Sequence, residues 1–207
     1  MSLMTHAAGG EPEQQLRAAA INGNAAAIST LLDAGAKLES RDDNGRTALM
    51  LATRRNQVEA ARLLIAAGAD VNAKDDINDS PYLYAGASGY NEILELTLAH
   101  GADLASTNRY GGTALIPAAE RGHIDTVKML IAAGVDVNHI NRLHWTALME
   151  AIVLGQGGPA HTRIVALLLE AGADPNIADA DGITPLQHAR QRGYTGMVQL
   201  LEQAGGR

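Results

Sequence analysis

Apolar positions in this chain fall into short blocks that return at a fixed interval. One kind of block is compact, as in Ala48-Leu49 with Ala52, or Leu186 with Ala189. The other is richer, as in Leu63-Leu64-Ile65 or Leu167-Leu168-Leu169. Each pair of blocks is separated by a turn signal and followed by a polar stretch. This pattern predicts two short helices per unit. Two ladders mark the period. Glycines followed by a small residue recur at Gly35, Gly68, Gly101, Gly134, Gly172 and Gly205, spaced 33, 33, 33, 38 and 33. Hydroxyl residues recur at Thr47, Ser80, Thr113, Thr146 and Thr184, spaced 33, 33, 33 and 38. Both ladders carry the same five-residue excess, so both count one structural unit.

The ladders also assign local structure. Each hydroxyl residue reads as an N-cap, its oxygen accepting from a backbone N–H that would otherwise lack a partner. Proline follows directly at Pro81 and Pro185, where its fixed φ suits the first helical position. Asn56, Gly89, Gly122 and Gly193 mark the turn between helices. The glycine ladder marks the end of the second helix, where a left-handed residue is expected. Asp70-Val71-Asn72, Asp136-Val137-Asn138 and Asp174-Pro175-Asn176 then lead into an exposed turn. The excess residues fall within Gly155–His161 and read as a flexible surface insertion, which costs little entropy.

These residues resemble the ankyrin repeat family, whose pattern is Gly-x-Thr-Pro-Leu-His-x-Ala, a Gly-His turn, Val-x-Leu-Leu and Gly-Ala-Asp-Val-Asn. Gly182-Ile183-Thr184-Pro185-Leu186 carries it most fully. The resemblance runs from about Gln14 to Gly205. It departs at Gln14-Gln15-Leu16, and at Met50, Leu83, Ile116, Met149 and Gln187, which replace the family histidine. It implies an all-α ankyrin repeat solenoid of six helix-turn-helix units with projecting β-turns or hairpins. The units run at about 11–40, 41–73, 74–106, 107–139, 140–177 and 178–207, as one domain over 11–207. Residues 1–10 read as a disordered segment or a cloning remnant. Thr30 and Glu202 replace apolar residues of the other units, as expected of capping units at the two ends of an array. A narrower resemblance, carried by stretches such as Asn108-Arg109-Tyr110-Gly111-Gly112 and Asn141-Arg142-Leu143-His144-Trp145, is to small bacterial ankyrin proteins. Some of these are exported, and some are linked to peroxide resistance.

Composition narrows the picture further. With 38 alanines, 25 leucines, no phenylalanine and 3% aromatics, the core must come from small, closely set helices rather than large rings. Cysteine is absent, which excludes disulfides and thiolate chemistry. A net charge of -7 disfavours generic nucleic-acid binding, which rests on cation-driven counterion release. No apolar run reaches the ~18 residues of a membrane span. Met1–Glu13 lacks the basic and apolar regions of a secretory signal. The expected compartment is the cytoplasm, or the periplasm if a leader was removed.

Catalytic motifs are sparse. There is no phosphate loop and no zinc-binding His-Glu-x-x-His helix. Ser88 in Gly86-Ala87-Ser88-Gly89 lacks nucleophile-elbow spacing. His139 and His144 flank one turn near Asp136 without matching a metal motif. His123 reads as the hydrogen-bonding histidine of a Gly-His turn, and His188 as a half-buried packing residue. Carboxylate pairs such as Asp42-Asp43 and Asp75-Asp76 read as solvated turn formers. No cofactor and no metal are expected.

The turn tips carry the sharper signal. They run acidic at Asp42-Asp43 and Asp75-Asp76, then basic and aromatic at Arg109-Tyr110 and Arg142-Leu143 with Trp145, then acidic at Asp179 and Asp181. Binding energy concentrates in Trp, Tyr and Arg near an interface centre. The candidate partner-binding residues are therefore Arg109, Tyr110, Arg142, Leu143 and Trp145, with Tyr84, Glu120, Arg121 and Glu150 on the adjoining first helices. The expected function is non-catalytic binding of a protein partner by a monomer, through the concave face and the tips. Two alternatives stay open: a protective role in oxidative stress through a catalase-like partner, and an enzyme using His144, Glu150 or Glu120. A structural alternative also stays open, in which Tyr110 and Trp145 fold over their own repeats and the arginines keep the edge soluble.

Overall fold

The computed structural model describes residues 10–207. The expected N-terminal segment lies, but for Gly10, outside the described residues. Among these there are helices and turns and no strand. Six first helices, α1 (Glu11–Asn22), α3 (Ala48–Arg54), α5 (Pro81–Ser88), α7 (Leu115–Glu120), α9 (Ala147–Val153) and α11 (Pro185–Gln191), stack in one layer. Six second helices, α2 (Ala25–Asp33), α4 (Val58–Ala66), α6 (Asn91–Ala99), α8 (Ile124–Ala133), α10 (Pro159–Glu170) and α12 (Thr195–Gln203), stack in the other. Each helix packs on its own partner and on its counterparts in the adjacent repeats. One apolar core therefore runs from Leu16 through Leu64, Leu94, Leu130 and Leu168 to Leu201. No short pair could bury such a stripe alone, and stacking supplies the missing cover.

Four of the five expected caps are present. Thr47, Ser80, Thr146 and Thr184 accept from the N–H of Met50, Leu83, Met149 and Gln187. Thr113 does not cap. Helix α7 begins at Leu115, one residue later than its counterparts, and the buried Thr113 hydroxyl has no partner. The cause is Pro117. In the four capped repeats the residue at this position donates its N–H to the carbonyl of the capping residue, as Leu51 does to Thr47 and Glu150 to Thr146. Proline has no N–H to give. The N–H of Ile116 goes to the Thr113 carbonyl instead and is lost to the hydroxyl.

Asparagines tie the repeats along one edge. Asn72 donates its amide to the Gly101 carbonyl and accepts from the N–H of Asp103. Asn138 does the same with Gly172 and Asp174, and Asn176 with Gly205 and Arg207. The third repeat has Ala105 at this position and makes no such tie. The insertion read as flexible is anchored on both sides. The Tyr194 hydroxyl donates to the Gly155 carbonyl at 3.3 Å, and His161 Nε2 donates to the Glu120 carbonyl at 2.7 Å.

Candidate functional site

Every turn tip is built on one side-chain oxygen. Asp42, Asp75, Asn108, Asn141 and Asp179 each accept two backbone N–H groups through Oδ1. This bends the backbone back on itself, as short Asx side chains do. The remaining side-chain atom of each is free to act elsewhere. In the sixth repeat Asp179 Oδ2 accepts from His188 Nε2 at 2.7 Å, and this bond holds the Asp179 carboxyl below the usual range. In the fifth repeat Asn141 Nδ2 donates to Glu150 Oε1 at 2.7 Å. Glu150 and His188 occupy the same register, so the two repeats solve one problem with opposite polarity. An aspartate needs a donor, and an asparagine amide needs an acceptor.

Between the tips and the first helices lies a groove of about 560 Å³. Equivalent positions of successive helices line it: Tyr84, Pro117 and Glu150 at one level, and Arg54, Ala87 and Glu120 at the next. Ser88, Arg121 and Leu154 follow at a third. The tips add Ile77, Asp79, Asn108, Arg109, Tyr110, Asn141 and Leu143.

Charge is divided along this groove. The Arg54 guanidinium lies over the Tyr84 ring, and that of Arg109 over the Tyr110 ring, each at 4.8 Å. Arg121 donates to the Ala87 carbonyl at 2.7 Å. These three arginines surround Asp79, whose pKa burial and the nearby Asp75 still raise. At the other end Glu150 is 5% exposed. Burial, helped by the Glu120 charge and opposed by the Asn141 hydrogen bond, pushes its pKa up to about 7.

Of the nine residues named from the sequence, Tyr84, Arg109, Tyr110, Glu120, Arg121, Leu143 and Glu150 line the groove. Tyr110 and Leu143 are 54% and 51% exposed. Arg142 and Trp145 are not among the lining residues. Arg142 reaches back to the preceding tip, donating from Nη1 to the Arg109 carbonyl at 2.8 Å. Trp145 is half-buried, with its backbone paired to Asn141. Arg54, Asp79 and Asn141 belong to the groove and were not singled out from the sequence. For Arg54 and Asp79 a signal was available, since they share registers with Glu120 and Trp145.

The histidines depart from expectation. Among the described residues the His123 ring makes no hydrogen bond. It packs on Gly89, and burial lowers its pKa. In the next repeat His161 does make a hydrogen bond, donating from Nε2 to the Glu120 carbonyl of the preceding repeat. His188 is a hydrogen-bonded partner of Asp179, not a packing residue alone. His139 Nε2 donates to the Gly111 carbonyl at 2.7 Å, while exposed His144 sits at φ 60° on the tip. Among the described residues no group of three or more His, Cys, Asp or Glu is placed to hold a metal.

A family model described as ankyrin repeats (3 copies) matches residues 4–75 and 82–179. The chain belongs to the ankyrin repeat family. It is similar to the crystal structure of an ankyrin repeat domain from Acinetobacter baumannii AYE, with 64% identity, 93% of this chain and 98% of that one covered, and a TM-score of 0.91. The ankyrin repeat protein EF0377 matches at 44% identity, with 92% and 98% covered and a TM-score of 0.89. The ankyrin repeat protein YahD of Escherichia coli (strain K12) is 54% identical over 56 residues, which are 27% of this chain and 28% of that protein. Ankyrin repeats are a general protein-interaction scaffold. Among the described residues no helix is long and apolar enough to cross a membrane.

Proposed function

We propose that this ankyrin array is a non-catalytic binding module that seats a segment of a protein partner in the groove across α5, α7 and α9. The observation that carries the reading is the convergence there of two arginines on tyrosine faces with exposed Tyr110 and Leu143. Such a mixture is typical of interface centres. Arg142 and Trp145 complete the surface at the adjoining tip, and Arg142 also fixes the Arg109 backbone. Glu120, Arg121 and Glu150 give the groove polarity, which sets partner choice and register.

The test is capture of partners from the cell of origin with the wild-type chain, an Arg109→Ala/Leu143→Ala variant, and a control altered at exposed Glu95 on α6. The groove variant should lose a specifically bound protein, with a cost of at least ~2 kcal/mol once affinity is measured, and the control should keep it. Equal capture by both would defeat the proposal. The narrower resemblance to peroxide-linked proteins makes a catalase-like enzyme one partner to assay directly.

A second reading has one observation in its favour. A buried carboxyl titrating near 7 beside another carboxylate is the arrangement of a general acid. His144, the third group considered for an enzyme, is not part of this groove's lining. A broad hydrolase screen with the wild type and Glu150→Ala decides it: turnover that vanishes in the variant supports an enzyme.

A further inference from the structure

Glu150 is 95% buried by its 5% exposure, yet one of its carboxylate oxygens has no partner. Oε1 is held by Asn141. Oε2 makes no hydrogen bond, and it is not among the sealed unpaired atoms of the interior. Glu150 lines the groove, so this oxygen opens into it. Glu120, from α7, lines the same wall.

Among the described residues neither carboxylate has an ion-pair partner. The neighbouring groups that could supply one are turned elsewhere. Arg121 donates to the Ala87 carbonyl, and Arg54 and Arg109 rest on tyrosine rings. His161 on α10 faces the Glu120 carbonyl, and His188 on α11 faces Asp179. Beside the polar Asn141 and Arg121, the same lining includes the apolar residues Ile116, Pro117, Leu143 and Leu154. The sixth repeat answers its own turn residue with a donor from within, His188. The fifth repeat leaves its acid facing outward.

We propose that Glu150 and Glu120 receive the guanidinium of an arginine carried by the partner segment that the groove binds. The inference rests on the reading of this groove as the partner site. The apolar walls would cover the aliphatic stem while the charged head reaches the carboxylates. A guanidinium suits the site better than an ammonium, because its planar fork can serve two acceptors at once. Its arrival supplies the counter-charge that a buried carboxylate otherwise lacks, so binding should drive Glu150 to its ionised form.

The test uses the full chain and the blocked tripeptide Ac-Gly-Arg-Gly-NH2, followed by NMR. Saturable shifts are expected at the Asn141 side-chain amide and the groove residues, and the Glu150 carboxyl carbon should titrate about one pH unit lower in the complex. Glu150→Gln keeps an acceptor for Asn141 and should weaken tripeptide binding by about tenfold or more. Its unchanged Asn141 amide resonance would show the site intact. The corresponding glutamate tripeptide should leave these signals unmoved. Absence of saturable groove shifts, equal binding by Glu150→Gln, or equal binding of the glutamate tripeptide overturns the proposal. The two readings fail separately. If Arg109→Ala/Leu143→Ala abolishes partner capture but Glu150→Gln does not reduce it, the groove stands and the arginine site falls.

Discussion

Along the edge where the second helices end, Asn72, Asn138 and Asn176 repeat one device, each tying its repeat to the next with two hydrogen bonds. Around the groove the tips share one Asx turn, but the side chains that they and the first helices present differ from repeat to repeat. The edge itself is broken once, at Ala105 between the third and fourth repeats, and the neighbouring Thr113 provides no cap. The register that holds Leu51 in one repeat holds Tyr84, Pro117 and Glu150 in the next three. The contrast teaches where the array spends stability. A solenoid needs only that neighbours pack, so its regular edge can carry the fold. The groove is then free to depart from local rules, and such departures cluster at functional sites.

The largest test inverts one pair. Asn141→Asp sets a second carboxylate against Glu150 and should cost about 3–5 kcal/mol near pH 8, as uncompensated buried charge does. Adding Glu150→His installs the Asp–His pair of the sixth repeat and should recover most of the loss in denaturant melts. If the double variant is no better than the single one, the pairing rule is wrong.

Next comes Glu150 itself. Its folded pKa, about 7, lies above the reference value of 4.5. The folded chain therefore holds an extra proton between these values, and stability falls as pH rises through that window. Near pH 8 Glu150→Gln should be more stable than wild type by on the order of 2 kcal/mol, and near pH 4 the two should match. Parallel profiles across this range would show that Glu150 is not strained by burial.

A smaller effect separates two threonines that look alike in sequence. Thr146→Val removes a working cap and should cost about 1 kcal/mol. Thr113→Val removes a buried hydroxyl without a partner and should be neutral or slightly stabilising, within about 0.5 kcal/mol. Equal losses would restore Thr113 as a cap. The smallest change completes the regular edge. Ala105→Asn should gain about 0.5 kcal/mol by tying the third repeat to the fourth, read as a rise in melting temperature.

The fold was legible because the two ladders count helix ends, and helix ends are set by local chemistry. Failures arose where one residue silences another. Thr113 matched the capping pattern, and only Pro117, four positions on, revealed that the backbone N–H it displaces would be borrowed from the cap. Seven of the nine named site residues line the groove because they share its registers. The Asn141–Glu150 pair escaped because its partners lie on a turn and a helix, and complementarity of donor and acceptor is visible only by setting it beside Asp179–His188. The tie of Arg142 to the Arg109 carbonyl depends on how adjacent tips stack, which the sequence does not display.

The division between a holding edge and a binding groove is tested most directly by photo-crosslinking in the cell of origin. A photoreactive residue replaces Leu143 in the groove or Glu95 on α6, and adducts are compared. A discrete protein adduct from the groove position, absent from the α6 position, is the predicted result. The same adduct from α6 alone would place the partner on the layer assigned here to support.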